Sequence, residues 1–195
     1  MHNGIPEYYA KDLKSWRKWL KTNGEKIQGV WVLIYKKDSG IPSVSYVEAV
    51  EEALCFGWID SVANKKEQNN YLQYFAKRNP KSNWSKINKD RVAKLIEEER
   101  MFASGLEMVA LAKKNGTWTA LDNVSALIIP DDLKQVLKKN KTAEKYFTAF
   151  PPSTKKGILE WIMNAKTPET RLKRITETIT LAEKNIRANQ YKPKT

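Results

Sequence analysis

The chain has 195 residues, with 35 Lys+Arg against 22 Asp+Glu for a formal charge of +13, one His (His2), one Cys (Cys55) and seven Trp. A lone His second in the chain leaves no packed imidazole for a Ser-His-Asp triad or a Cys-His pair, and one His plus one Cys cannot supply four ligands to a structural zinc. One Cys closes no intrachain disulfide, and the absence of a run of about 18 apolar residues predicts no membrane span.

The residues Met1–Glu7 carry no basic stretch followed by an apolar one, so no secretory signal is read and a cytoplasmic location is expected. Tyr9, Leu13, Trp16 and Leu20 recur at steps of four, three and four, which predicts a helix over about 9–23, stopped by Gly24. Val30 to Tyr35 is a β-branched and aromatic run that reads as a mostly buried strand. Ser45-Tyr46-Val47-Glu48 is a capping box opening a helix that ends near Phe56-Gly57. Trp58–Val62 and Tyr71–Phe75 read as a hairpin across the polar 64–70 turn.

Ser85 is placed to cap a helix over about 86–99, with Val92, Leu95 and Ile96 inward, and Ser104-Gly105-Leu106-Glu107 reads as a second capping box. Residues 118–129 are loosely patterned. The remainder reads as helical: a short helix marked by Leu133, Val136 and Leu137, one capped by Thr142, one capped by Ser153, and one opened by Thr167-Pro168-Glu169. The last carries Leu172, Ile175, Ile179, Ala182 and Ile186 on one stripe, and the tail after Asn189 reads as frayed. The expected fold class is α+β: a small, mostly antiparallel sheet with packed helices over residues 1–125, then an all-helical segment over 126–195.

The charge is uneven. Residues 1–126 hold 20 basic and 15 acidic residues, and residues 127–195 hold 15 and 7. The basic excess favours a polyanion: nucleic acid, anionic lipid or an acidic protein. Most of the basic residues are lysine, which leans away from base readout, where Arg is the usual reader. Lys166, Arg171, Lys173 and Arg174 crowd the start of the last long helix, either as a polyanion patch or as a solvated helix face.

The densest polar and aromatic stretch is Lys77 to Lys89. A strand-to-helix junction with free amides, Ser82 and Ser85 hydroxyls and the cations Arg78 and Lys86 suits a phosphate or carboxylate, with Trp84 offering a stacking face and Asn88 a further polar group. The alternative is a turn at Pro80, a cap at Ser85 and a core edge at Trp84. Asp60, between Ile59 and Ser61, reads as an orienting group or general base, or else as an acid paired with a cation such as Arg78. Cys55, at the negative end of its helix dipole, reads as a small buried hydrophobe rather than a nucleophile.

Several strings occur here in the same order as in one known family. They are Trp16–Leu20, Val30–Val32 with Tyr35–Lys37, Ser43–Tyr46, Glu51–Asp60, Ser82–Asn88, and Ala165–Arg171 with Arg174–Ile175. On these the chain resembles the YdeI/OmpD-associated, or bacteriocin-protection, proteins along nearly its whole length. Ala76-Lys77-Arg78 stands where that family has Pro-Arg before its Ser-x-Trp-Ser block, and Glu99 stands where it has Gly. The resemblance implies a bacterial accessory or protective role and matches Asp60, Trp84, Ser85 and Asn88 to recurring positions; it implies no reaction and no cofactor.

The reading is therefore a non-catalytic binding or protection protein taking a small anionic or phosphate-bearing molecule at Asp60, Arg78, Ser82, Trp84, Ser85, Lys86 and Asn88. Two alternatives stay open: nucleic-acid binding through the basic C-terminal helices, and an enzyme with Asp60 as general base.

Overall fold

The computed structural model describes residues 4–190; His2 and the end of the tail after Asn189 lie outside them. The chain divides into two compact units, residues 1–119 and 120–195. Among the described residues no helix is long and apolar enough to cross a membrane.

The first unit is built on a four-stranded sheet in the order β1-β2-β4-β3. β2 (Gly29–Tyr35) is central, and its Val30, Trp31, Val32 and Ile34 are buried, as a β-branched run covered on both faces should be. β4 (Asn70–Lys77) pairs antiparallel with β2, and β3 (Trp58–Lys65) pairs antiparallel with β4 as the expected hairpin. β1 (Glu7–Tyr9) runs parallel to β2, which makes the sheet mixed.

β1 corrects the helix expected from Tyr9. Tyr9 pairs with Leu33 in the ladder, lies edge-on to Tyr35 and donates its hydroxyl to the Pro42 carbonyl. The helix α1 instead begins at Leu13 and runs to Asn23, capped by Asp12, whose carboxylate accepts from the Ser15 amide at 2.7 Å while the Ser15 hydroxyl returns to the Asp12 amide. Trp16 and Leu20, the inward face of α1, are buried.

α2 (Tyr46–Cys55) opens on the expected Ser45/Glu48 box, and Gly57 at φ 73° turns the chain from it into β3. α3 (Lys86–Glu97) is capped by Ser85, and Val92 and Leu95 are buried, but Ile96 is exposed.

α4 (Ala103–Lys114) starts one residue before the expected box, with Phe102 at its N-cap and no side-chain cap. The Ser104 hydroxyl donates to the Phe56 carbonyl at 3.2 Å instead. Tertiary contact sets this start: the Phe102 amide donates to the Cys55 carbonyl at 3.0 Å, and a Cβ at Gly105 would stand 2.3 Å from that same oxygen. Only glycine permits so close an approach.

The second unit is helical: α5 (Asp122–Ser125), α6 (Asp131–Lys139), α7 (Lys141–Ala149), α8 (Pro152–Met163) and α9 (Pro168–Glu183). Its core gathers Leu133, Phe147, Ile158, Ile162, Ile175 and Ala182. α5 lies in the stretch read as loosely patterned. Asn140 caps α7 in place of Thr142, accepting from the Ala143 amide at 3.0 Å, and α8 starts on Pro152 rather than behind a Ser153 cap. Thr167 caps α9 as expected, accepting from the Thr170 amide at 3.2 Å. Of the expected stripe on α9, Ile175, Ile179 and Ala182 are buried; Leu172 is 65% exposed and Ile186, beyond the helix, is also exposed.

Candidate functional site

Asp60 lies on β3 opposite Phe75 of β4, just where the ladder slips: the next paired residue is Ala63, opposite Gln73. The slip leaves the Ser61 and Val62 carbonyls off the ladder, and the buried Gln73 amide donates to both, at 3.3 and 3.2 Å. Such a bulge re-aims the side chains beside it. Tyr46, the first residue of α2, donates its hydroxyl to Asp60 Oδ2 at 2.7 Å. Partial burial and then the Asp60 carboxylate push the Tyr46 hydroxyl up to about 12, so at neutral pH it stays a donor. Arg91 of α3 and Tyr71 of β4 lie close enough to act electrostatically on Tyr46. Sequence reasoning missed Tyr46 and Arg91 as site residues. Tyr46 was visible only within the Ser45–Glu48 capping box and the Ser43–Tyr46 string.

Arg78, just after β4, is 5% exposed. Its Nη2 donates to the Asn83 carbonyl at 2.5 Å, and its guanidinium lies 3.9 Å from the centre of a Trp84 ring. Its buried Nε has no hydrogen-bond partner. Burial lowers its pKa to about 10, and Asp60 pulls the other way. Trp84 is itself buried, tilted against Trp118 at 5.0 Å, so its ring packs on Arg78 inside the fold instead of offering an open stacking face.

The remaining residues of the block make local bonds. The Ser82 hydroxyl donates to the Asn79 carbonyl at 2.7 Å. The Ser85 hydroxyl accepts from the Asn88 amide at 3.3 Å, which is the helix cap. Lys86 pairs with Asp90 one turn along α3, and the Asn88 side-chain oxygen accepts from Arg91 at 3.0 Å. Asp60, Arg78 and Trp84 are thus linked by charge and ring contact, while Ser82, Ser85 and Lys86 serve the turn and the first turn of α3.

A second charged cluster was not read from the sequence. Glu52 of α2 has no solvent exposure and pairs with Arg17 of α1 and, at 3.2 Å, with Arg100. Arg17 also donates to the Arg100 carbonyl at 3.0 Å and lies over Phe102 at 5.1 Å. Cys55, one turn from Glu52, is buried, and its thiol is pushed up to about 11 by desolvation and then by Glu52. Among the described residues no group of three or more His, Cys, Asp or Glu is placed to hold a metal.

In the second unit the four basic residues differ. Arg171 makes a two-pronged pair with Asp132 of α6, Nε to Oδ2 at 2.6 Å and Nη2 to Oδ1 at 3.0 Å. Arg174 donates to the Trp161 carbonyl and lies over the Trp161 ring at 5.1 Å. Lys166 and Lys173 are exposed.

The fold and this layout define an α+β unit followed by a helical unit, and family models divide in the same way. Residues 8–108 match a domain of unknown function, DUF8412, and residues 126–185 match the model described as bacteriocin-protection, YdeI or OmpD-associated. The chain therefore belongs to the DUF8412 family over more than half its length and carries a YdeI/OmpD-associated region in its helical part. Of the strings that carried the resemblance, Ala165–Arg171 and Arg174–Ile175 lie inside that second match, and the others lie in the first. No curated protein and no solved structure matches the chain.

Proposed function

We propose that the protein is a non-catalytic binding protein of the bacteriocin-protection type, whose first unit takes a small anion or phosphate-bearing molecule at Arg78. The observation that supports this reading is the state of the guanidinium: 5% exposed, with one hydrogen bond and no bond at Nε. A buried cation that feels the Asp60 charge but makes no direct ion pair loses its hydration without the full return a contact pair gives, and an anion would supply that return. Trp84 holds the guanidinium flat, Asp60 orients the ligand with Tyr46, and Ser82, Ser85, Lys86 and Asn88 form the surrounding polar rim.

The test is a thermal-shift titration with inorganic phosphate, AMP and glucose 6-phosphate. A ligand present at about ten times its Kd raises stability by about 1.4 kcal/mol, enough to move the melting temperature. Arg78→Gln should abolish the shift. An unmoved melting temperature at about 10 mM of every probe, in a protein that remains folded, overturns the reading.

A further inference from the structure

Two stretches of the first unit that lie apart in the chain meet along one seam: residues 77–91, which run from the end of β4 into α3, and residues 109–119, which close α4 and turn beyond it. The Asn115 side-chain amide donates to the Pro80 carbonyl at 2.8 Å, the Trp84 amide donates to the Thr117 carbonyl at 3.1 Å, and the Trp84 and Trp118 rings stand 5.0 Å apart. Together the two stretches hold eight basic residues and one acid, Asp90. Residues 1–126 as a whole hold 20 and 15, so the rest of them hold 12 and 14 and are slightly acidic. The positive excess of the first unit is therefore gathered along this seam.

Trp118 is the outer member of the aromatic pair. It is half-buried and backed by the buried Trp84, and the Lys113 and Lys89 ammoniums lie 5.4 and 5.9 Å from the centre of its ring. Both are cation–π distances. Lys114 is exposed beside Lys113, and Lys81 is exposed next to Pro80, whose carbonyl Asn115 holds. Lys86, by contrast, is paired with Asp90. Lysines on both stretches thus flank one partly exposed indole that the core anchors.

That arrangement matches a chain of phosphates with a base between them. An aromatic ring stacks on any base, because every base has a π-face. Lysine is a point charge on a flexible stem, so Lys89 and Lys113 can swing from the ring to the phosphates that flank a stacked base. A duplex keeps its bases stacked on one another and offers the indole no free face. The flanking cations are lysines, which favour the backbone over base edges, so little sequence preference is expected.

We propose that this seam binds single-stranded nucleic acid: an unpaired base stacks on Trp118, and the phosphates beside it accept from Lys81, Lys89, Lys113 and Lys114. The site requires no ligand at Arg78, which stays behind Trp84, and it lies in a different unit from Lys166, Arg171, Lys173 and Arg174.

The experiment follows the fluorescence anisotropy of a labelled oligouridylate of about 16 nucleotides, and of an RNA duplex of the same length, titrated with the full chain at about 50 mM salt. The single strand should bind about tenfold more tightly than the duplex, the contribution of about one stacked base. Its log affinity should fall with log salt at a slope of about −3, as about four phosphate contacts on a single strand imply. Lys89→Gln/Lys113→Gln, both on the surface, should flatten that slope by about 1.4 at an unchanged melting temperature. Trp118→Leu, which keeps an apolar side chain against Trp84, should weaken the single strand about tenfold and bring it level with the duplex. Should that variant fail to fold, the lysine variant and the duplex comparison decide. No binding of the single strand at about 100 μM protein overturns the proposal. So does a duplex bound as tightly as the single strand, undiminished binding by the folded lysine variant, or binding to phosphatidylglycerol vesicles with none to the oligonucleotide.

Discussion

Glu52 shows how much a single buried charge depends on partners brought from elsewhere. It has no exposure, and its two oxygens meet Arg17 from α1 and Arg100 from the segment before α4. Both arginines remain partly exposed, so solvent still serves them while the carboxylate relies wholly on them. Glu52→Gln keeps the shape but removes the charge that balances the pair, and should cost about 3 kcal/mol in urea unfolding. A loss below about 0.5 kcal/mol would show that the network carries no net stability. At the same scale, Arg78 and Trp84 were legible as interesting residues, but their relation was not. A cation six positions before a tryptophan reads as two ligand contacts, and only the turn through Asn79–Asn83 lays one side chain on the other.

At the scale of elements, local signals were reliable where the chain satisfies its own amides. Ser45, Ser85 and Thr167 cap α2, α3 and α9 as their spacing implies. They failed where another element does the work. α4 opens without a cap because the α2 terminus anchors it, and β1 replaces the first expected helical turn because β2 offers a free edge.

α6 and α9 are joined by the Asp132–Arg171 pair. Hydrogen bonds from Arg171 hold the Asp132 carboxyl below its ordinary value. Its stabilisation is therefore whole above the unfolded aspartate value and is lost as pH falls through the lower folded one. The pair is partly exposed, so its worth is up to about 1 kcal/mol. Asp132→Asn should lower the melting temperature at pH 7, with the gap to the unsubstituted protein narrowing in acid. A gap that is constant with pH would exclude the linkage.

For the whole molecule, the uneven charge becomes a statement about two units. The excess on residues 127–195 predicts polyanion adsorption whose log affinity falls with log salt. Arg171 and Arg174 are engaged within the unit, so lysines such as Lys166 and Lys173 are expected to carry that slope. Lys166→Glu/Lys173→Glu should elute earlier from heparin, whereas Arg171→Ala should chiefly lower the melting temperature. Retention unchanged by the double lysine variant would refute a polyanion role for this helix start.

The sequence alone determined the α+β class, the β3–β4 hairpin, the starts of α2, α3 and α9, and the family resemblance. These rest on periodicity, caps and turn residues, which act over a few positions of the chain. The tertiary structure decided what each polar group meets. It decided that Glu52 is paired, that Arg78 is buried on Trp84, and that Ser82 and Ser85 serve turn and cap. Hydrogen bonding and desolvation depend on distances of a few ångströms between residues far apart in the chain, and no spacing in the sequence encodes them.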